Sequence, residues 1–155
     1  MSERASGESL AYEALLDERS IHRALSYFAR AADSRAYGLM RNVFADDVVF
    51  DYGSGREERG LAALLNLVAL HLDRCGPTQH LIGSTIIDVD GERAVSKAYV
   101  QARHQRRDDP HGSVFDTNGE YTDQWTRRSD GWRIVDRRAR WAITTGDPSI
   151  LHVPE

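Results

Sequence analysis

The side chains best suited to moving protons in this 155-residue sequence are two histidines, an aspartate and a tyrosine. His80 sits in Pro77-Thr78-Gln79-His80-Leu81-Ile82-Gly83-Ser84-Thr85, which reads as the start of a strand. His104, in Ala102-Arg103-His104-Gln105-Arg106, falls on the following strand. Asp33 closes the first helical pattern, and Tyr52 ends the first strand in the pair Asp51-Tyr52. A histidine has an ordinary pKa of roughly 6.5, so it accepts and returns a proton near neutrality. A carboxylate on its other ring nitrogen would fix the tautomer, and a phenol would donate to a developing oxyanion. Each residue also has a plainer reading. Asp33 serves as a helix-end residue, His80 as a half-buried strand residue, and Tyr52 as packed wall. His104 shares a small, apolar strand face with Ala98, Val100 and Ala102, which suits packed core or pocket lining alike.

The elements that would position these residues follow from periodicity. Leu10, Ala14, Ile21, Leu25, Phe28 and Ala32 recur mostly in steps of three and four, predicting a helix from about Ser9 to Ala32. Residues 1–8 are small and polar and are expected to fray. Ser34 is a candidate cap for a short second helix carrying Leu39, Met40, Val43 and Phe44. Ala45-Asp46-Asp47 reads as a turn, Val48 to Tyr52 as a strand, and Glu57 to Leu72 as a third helix. The acids at its start suit the helix dipole. Strands follow over Leu81–Val89, Arg93–Arg106, Val114–Arg127 and Trp132–Thr144. Asp90-Gly91 and Asp130-Gly131 make tight turns between them. The tail from Gly146 to Glu155 carries Pro148, Ile150, Leu151 and Val153 and is expected to dock over a pocket. Helices first and long antiparallel strands afterwards predict an α+β fold, with helices closing one side of a curved sheet. The length fits one domain.

Composition excludes several classes. A formal charge of −4 gives no footprint for nucleic acid or an anionic membrane, and no apolar stretch is long enough to span a bilayer. The N-terminus has no signal-peptide pattern, and the single cysteine, Cys75, points to a reducing, cytoplasmic setting. Cys75 reads as a half-buried thiol rather than a nucleophile. There is no phosphate loop, nucleophile elbow or cysteine cluster. His22, His71, His80, His104, His111 and His152 lack the spacing of a helical zinc pair, so no metal is expected. Arg137, Arg138 and Arg140 read as a solvated or interface-facing strand edge. Trp125, Trp132 and Trp141 read as structural or interface residues.

Several segments together resemble a known family. Tyr27-Phe28-Ala29-Arg30-Ala31-Ala32-Asp33 with Phe44-Ala45-Asp46-Asp47, and the late run from Tyr121 to Ile134, look like a SnoaL-like domain of the NTF2-like superfamily. Thr78-Gln79-His80 followed by His104-Gln105-Arg106 is similar to fungal scytalone dehydratase. The lindane dehydrochlorinase and bile-acid 7α-dehydratase families resemble it through the Asp–His pair. The resemblance covers residues 20–151. It implies an NTF2-like cone and a cofactor-independent lyase that eliminates water from a hydrophobic cyclic hydroxy-carbonyl substrate. His80 would be the base, Asp33 its orienting partner, Tyr52 the carbonyl donor, and His104 a positioning group for substrate or leaving hydroxyl. Phe28, Ala32, Glu120, Thr122 and Arg128 are the expected substrate-binding positions; Arg128 requires the even-numbered strand face to point inward. Two departures stand out. Ala32 replaces a family tyrosine, and Glu120 and Thr122 (with the alignment open by one residue) replace a serine and an asparagine. The proton chemistry is therefore expected to carry over further than scytalone as substrate. A ketosteroid-isomerase-like isomerase or polyketide cyclase would use the same base. A non-catalytic ligand-binding protein or dioxygenase small subunit would need none of it. The resemblance further implies a homo-oligomer, a trimer first and a dimer second.

Overall fold

The alternation of apolar and polar residues in the second half of the chain builds one sheet, and the periodic first half covers one of its faces. The computed structural model describes residues 2–109 and 111–151. Helix α1 runs Ser2–Asp33, followed by a 3-10 turn at Tyr37–Asn42. Strands β1 (Phe44–Asp51) and β2 (Glu58–Arg59) precede helix α2 (Leu61–Leu72). Strands β3 (Cys75–Asp90), β4 (Arg93–Arg106), β5 (Val114–Arg128) and β6 (Gly131–Gly146) complete the sheet, and a 3-10 turn spans Pro148–Ile150. The strand order is β2-β1-β6-β5-β4-β3. Only β1 and β6 pair in parallel, so the sheet is mixed. None of the described helices is long and apolar enough to cross a membrane.

Ile21, Leu25 and Phe28 from α1 meet Leu64, Val68 and Leu72 from α2 over Ala98, Val100, Tyr121 and Trp125 of the sheet. The sheet curves at irregularities in its ladders, among them those between Gly83 and Ile86, Asn118 and Gly119, and Gln124 and Trp125. Each bulge shifts the alternation. On β6, Ile134 and Arg137 both face inward although three residues apart, because Val135 is the extra residue. Gly119 permits its bulge: a Cβ there would lie 2.2 Å from the Arg140 carbonyl oxygen.

Several element boundaries differ from the sequence reading. Helix α1 begins at Ser2 rather than Ser9, through good helix formers such as Glu3, Arg4 and Ala5. Leu10, first in the expected buried stripe, is exposed. Ser34 caps nothing; its hydroxyl bonds back to the Arg30 carbonyl at 2.7 Å. Helix α2 starts at Leu61 rather than Glu57 because Gly60, with φ 92°, breaks the chain there. Glu58 and Arg59 instead pair with Phe50 and Val49. Ala45–Asp47, read as a turn, lie within β1 where its register on β6 shifts. Strand β3 begins six residues before Leu81 and contains Pro77. The sheet tolerates this because β3 is an edge strand, where a missing N–H costs no ladder bond. The arginine cluster also divides. Arg137 is fully buried, Arg138 pairs with Asp136 and Glu57, and Arg140 is exposed.

Candidate active site

The last turn of α1 ends against the start of β3, and that junction builds the centre of the site. Arg35 adopts the left-handed conformation (φ 60°), and the Ala36 N–H bonds back to Ala31 O at 2.9 Å. This reversal stops the helix with Asp33 aimed at β3. The His80 ring Nδ1 lies 2.7 Å from Asp33 Oδ1, and the His80 backbone N–H donates to Oδ2 at 2.9 Å. Thr78 donates its hydroxyl to Oδ1 at 3.0 Å, and Arg35 donates to Thr78 Oγ1 at 2.8 Å. Arg35 also reaches the Gly76 carbonyl at 2.8 Å, so one side chain ties the helix end to the strand. Burial pushes the Asp33 carboxyl upward, but the hydrogen bonds from the His80 ring and backbone outweigh it. With the imidazole's charge and the Thr78 hydroxyl, they hold Asp33 below the ordinary carboxylate value. An ionised Asp33 accepts a hydrogen bond from His80 Nδ1–H, which leaves Nε2 as the nitrogen with the free lone pair.

His104 stands beside this pair, its ring edge-on to His80 with centroids 5.7 Å apart and planes at 87°. It is 3% exposed, and its Nδ1 lies 2.9 Å from Phe115 O, a pure acceptor, so Nδ1 carries the proton. Burial lowers its pKa to about 4, with the neighbouring His80 acting in the same direction and the Phe115 bond opposing. His104 is thus a neutral imidazole with Nε2 left as an acceptor.

Both histidines line a cavity of about 550 Å³. Ala32, Phe28, Tyr52, Tyr121, Trp141 and Thr117 make its floor and one wall; Leu67, Val68, His71 and Leu72 of α2 make another. Ser54, Arg56 and Glu58, all exposed, stand at the rim, and Pro148 and Leu151 of the tail also line it. Residues 152–155, including Val153 and His152, lie outside the described residues. Burial raises the Tyr52 hydroxyl's pKa against the opposing effect of Arg137, and it raises that of Tyr121 also. Both are neutral phenols able to donate. Among the described residues no three His, Cys, Asp or Glu side chains converge as metal ligands.

Of the sequence-derived candidates, His80, His104, Tyr52, Phe28 and Ala32 line this cavity, and Asp33 stands behind it, bonded to His80. Glu120, Thr122 and Arg128 do not. The inward face of β5 carries Tyr121, Asp123 and Trp125, so the odd-numbered residues point into the cone. Glu120 pairs across from Tyr99 on the outer face, and Arg128 approaches Asp47 at 3.9 Å. Sequence reasoning missed Tyr121, one residue from the positions it named. It also missed Trp141, whose indole N–H holds the Tyr52 carbonyl at 2.9 Å. His71 is a third cavity histidine; its Nδ1 lies 2.8 Å from Leu67 O, one helical turn back, where helical spacing could have placed it. Trp125 and Trp132 are buried and donate to Ser96 and Asp17. Cys75 is buried, and burial raises its thiol pKa, which suits packing rather than nucleophilic attack.

Comparison with known proteins accounts for this architecture. Residues 13–138 match the SnoaL-like domain family. Among solved structures, a candidate scytalone dehydratase from Novosphingobium aromaticivorans superposes with a TM-score of 0.77 at 20% identity, covering 91% of each chain. The hexachlorocyclohexane dehydrochlorinase LinA-type3 from Novosphingobium barchaimii gives 0.77 at 18% identity, covering 94% of this chain and 99% of the other. A candidate aromatic ring hydroxylase from Novosphingobium aromaticivorans gives 0.78 at 21%, covering 89% and 98%. At these identities the likeness establishes the fold, an NTF2-like cone. No curated protein sequence matches the chain.

Proposed function

The chain belongs to the SnoaL-like domain family, and we propose that it is a cofactor-independent lyase, a dehydratase acting on a hydrophobic cyclic hydroxy-carbonyl compound. The observation that carries this reading is the Asp33–His80 bond at the wall of a largely apolar 550 Å³ cavity. The structural likeness to a candidate scytalone dehydratase and to a dehydrochlorinase supports elimination as the reaction class. In the proposed reaction His80 Nε2 takes the α-proton, and Asp33 stabilises the imidazolium. The C–H electron pair moves into an enolate, whose oxygen receives a hydrogen bond from Tyr52. The enolate then collapses to the alkene-carbonyl and the β-C–O bond breaks. The departing hydroxide takes the proton back from His80 and leaves as water. His104, neutral and with Nε2 free, accepts a hydrogen bond from the substrate hydroxyl and so orients the leaving group. Phe28, Tyr121 and Trp141 fit a planar ring.

The same base would serve an isomerase or a polyketide cyclase, and product mass separates these from elimination. The alternative of a non-catalytic ligand-binding protein or dioxygenase small subunit gains interest from the aromatic ring hydroxylase likeness. Such a scaffold has no use for an oriented Asp33–His80 pair beside a neutral His104. We further propose self-association, a trimer first and a dimer second, through the outer sheet face that exposes Leu81, Ile86, Tyr99 and Ile143. A cytoplasmic setting agrees with a free, buried Cys75. Incubation with a panel of bicyclic β-hydroxy ketones tests the reading. Wild-type protein is expected to give products lighter by one water, and His80→Ala none above buffer. Full turnover by His80→Ala, or products of unchanged mass, would sink it.

A further inference from the structure

A buried ion pair lies directly beneath the cavity, and the proton-transfer scheme does not use it. Arg137 is fully buried and Asp123 nearly so. The guanidinium grips the carboxylate at two points, Nε to Oδ1 at 2.7 Å and Nη2 to Oδ2 at 2.7 Å. Its central carbon lies 4.3 Å from the ring centres of both Phe28 and Tyr121, and 4.9 Å from that of Phe44. Two of those rings line the cavity. Apolar residues of equal volume often serve stability as well as a buried ion pair does, so stability alone does not account for this one. Its remaining nitrogen supplies a use. Nη1 donates to the Tyr52 hydroxyl oxygen at 3.5 Å.

An arginine has donors only. The Tyr52 oxygen must therefore face Arg137 as an acceptor, and its own proton must point elsewhere. The hydrogen bond that the Tyr52 hydroxyl makes to protein is the one it accepts from Arg137. Tyr52 lines the cavity, so the cavity is where the proton goes. The backbone of Tyr52 is held from the other side by the Trp141 indole, and its ring packs edge-on against Tyr121 at 6.0 Å. We propose that Arg137, anchored by Asp123, is a positioning residue that fixes the Tyr52 hydroxyl as a hydrogen-bond donor to an oxyanion in the cavity. Arg137 has no exposure to the cavity and acts only through Tyr52. This rests on the lyase reading for the identity of the oxyanion, an enolate, but the donor itself is testable without any reaction.

The probe is 4-nitrophenol, an inert oxyanion whose ionisation is read by absorbance, with 4-nitrotoluene as an uncharged control of the same shape. Wild-type protein is expected to bind the phenolate in preference to the phenol. Tyr52→Phe is expected to weaken phenolate binding roughly 10- to 100-fold, the usual range for a hydrogen bond to a charged group, and to leave 4-nitrotoluene binding unchanged. The double replacement Arg137→Met/Asp123→Leu removes both charges together and is expected to produce a similar loss. Adding Tyr52→Phe to it should cost nothing more, because groups acting through one hydrogen bond are not additive. If that double variant shows no cooperative melt, Asp123→Asn takes its place, with a loss of at least about threefold expected from a guanidinium held less firmly. Phenolate affinity unchanged in Tyr52→Phe or in the ion-pair variants would overturn the proposal. So would a wild-type protein that binds no phenol or has no preference for the phenolate. Because no turnover is involved, a protein that grips phenolate as expected but eliminates no water keeps this inference and loses the lyase reading.

Discussion

His80 is held at three points, by Asp33 at the ring and the backbone and by the strand that carries it. That is the arrangement a general base needs, because the reactive nitrogen is defined by what the other one holds. Replacing Asp33 with Asn keeps the size but removes the charge that stabilises the imidazolium. We expect Asp33→Asn to lower turnover roughly 10²-fold or more, within the range general acid–base catalysis contributes, and to lower the melting temperature of a still folded protein, because the carboxylate accepts bonds from His80 and Thr78. Steady-state kinetics beside a thermal melt checks this. His104 makes a separate prediction about stability. Its folded pKa, about 4, lies below the ordinary 6.5, so the unfolded chain binds the proton first as pH falls. Its contribution is whole above about 6.5 and is lost between there and about 4, for a total of about 3 kcal/mol. Asp33 adds to the loss only below the ordinary carboxylate range, because its pKa is depressed from there. Urea unfolding at pH 7 and at pH 4.5 should show the fall, and His104→Asn should flatten it.

At the scale of elements, the site depends on where α1 stops and where the ladders are bulged. Arg35 joins the helix end, Thr78 and the Gly76 carbonyl. Arg35→Ala should leave a folded protein with lower kcat, since Thr78 and Asp33 lose the group that orders them; kinetics and near-ultraviolet circular dichroism check it. Gly119→Ala drives a methyl group into the Arg140 carbonyl and should destabilise the fold by about 1–3 kcal/mol, read by urea unfolding. Bulges also explain what the sequence could and could not show. The Asp90-Gly91 turn and strand β4 were legible, because turn chemistry and strict alternation are local. The inward face of β5 was not, because it turns on which of two adjacent residues faces the helices, and tertiary packing decides that. Tyr121 and Asp123 point inward where Glu120 and Thr122 were expected. Arg137 was misplaced for a related reason. Three neighbouring arginines look like a surface, and only the bulge at Val135 turns one of them into the core beside Asp123.

The whole molecule is a cone whose apolar floor, histidine-bearing wall and polar rim come from distant parts of the chain. The types of Asp33 and His80, and the end of α1 at Asp33, were legible, while the strand reaching back past His80 to Cys75 was not. The cavity beside them depends on α2, the residues 53–58 segment and the tail, whose approach to one another no local pattern encodes. The outer sheet face predicts behaviour in solution. If copies associate there, Tyr99→Glu should shift the sedimentation profile toward monomer and leave the circular dichroism spectrum unchanged. The proposed lyase chemistry begins with one event, the removal of a proton from carbon by His80. The most direct measurement is deuterium uptake at the α-carbon of a bound cyclic ketone in deuterated water, followed by mass spectrometry. It requires neither the natural substrate nor a leaving group. Uptake is expected well above buffer with wild-type protein and reduced to the buffer rate with His80→Ala. Equal uptake by the two proteins would contradict that role for His80.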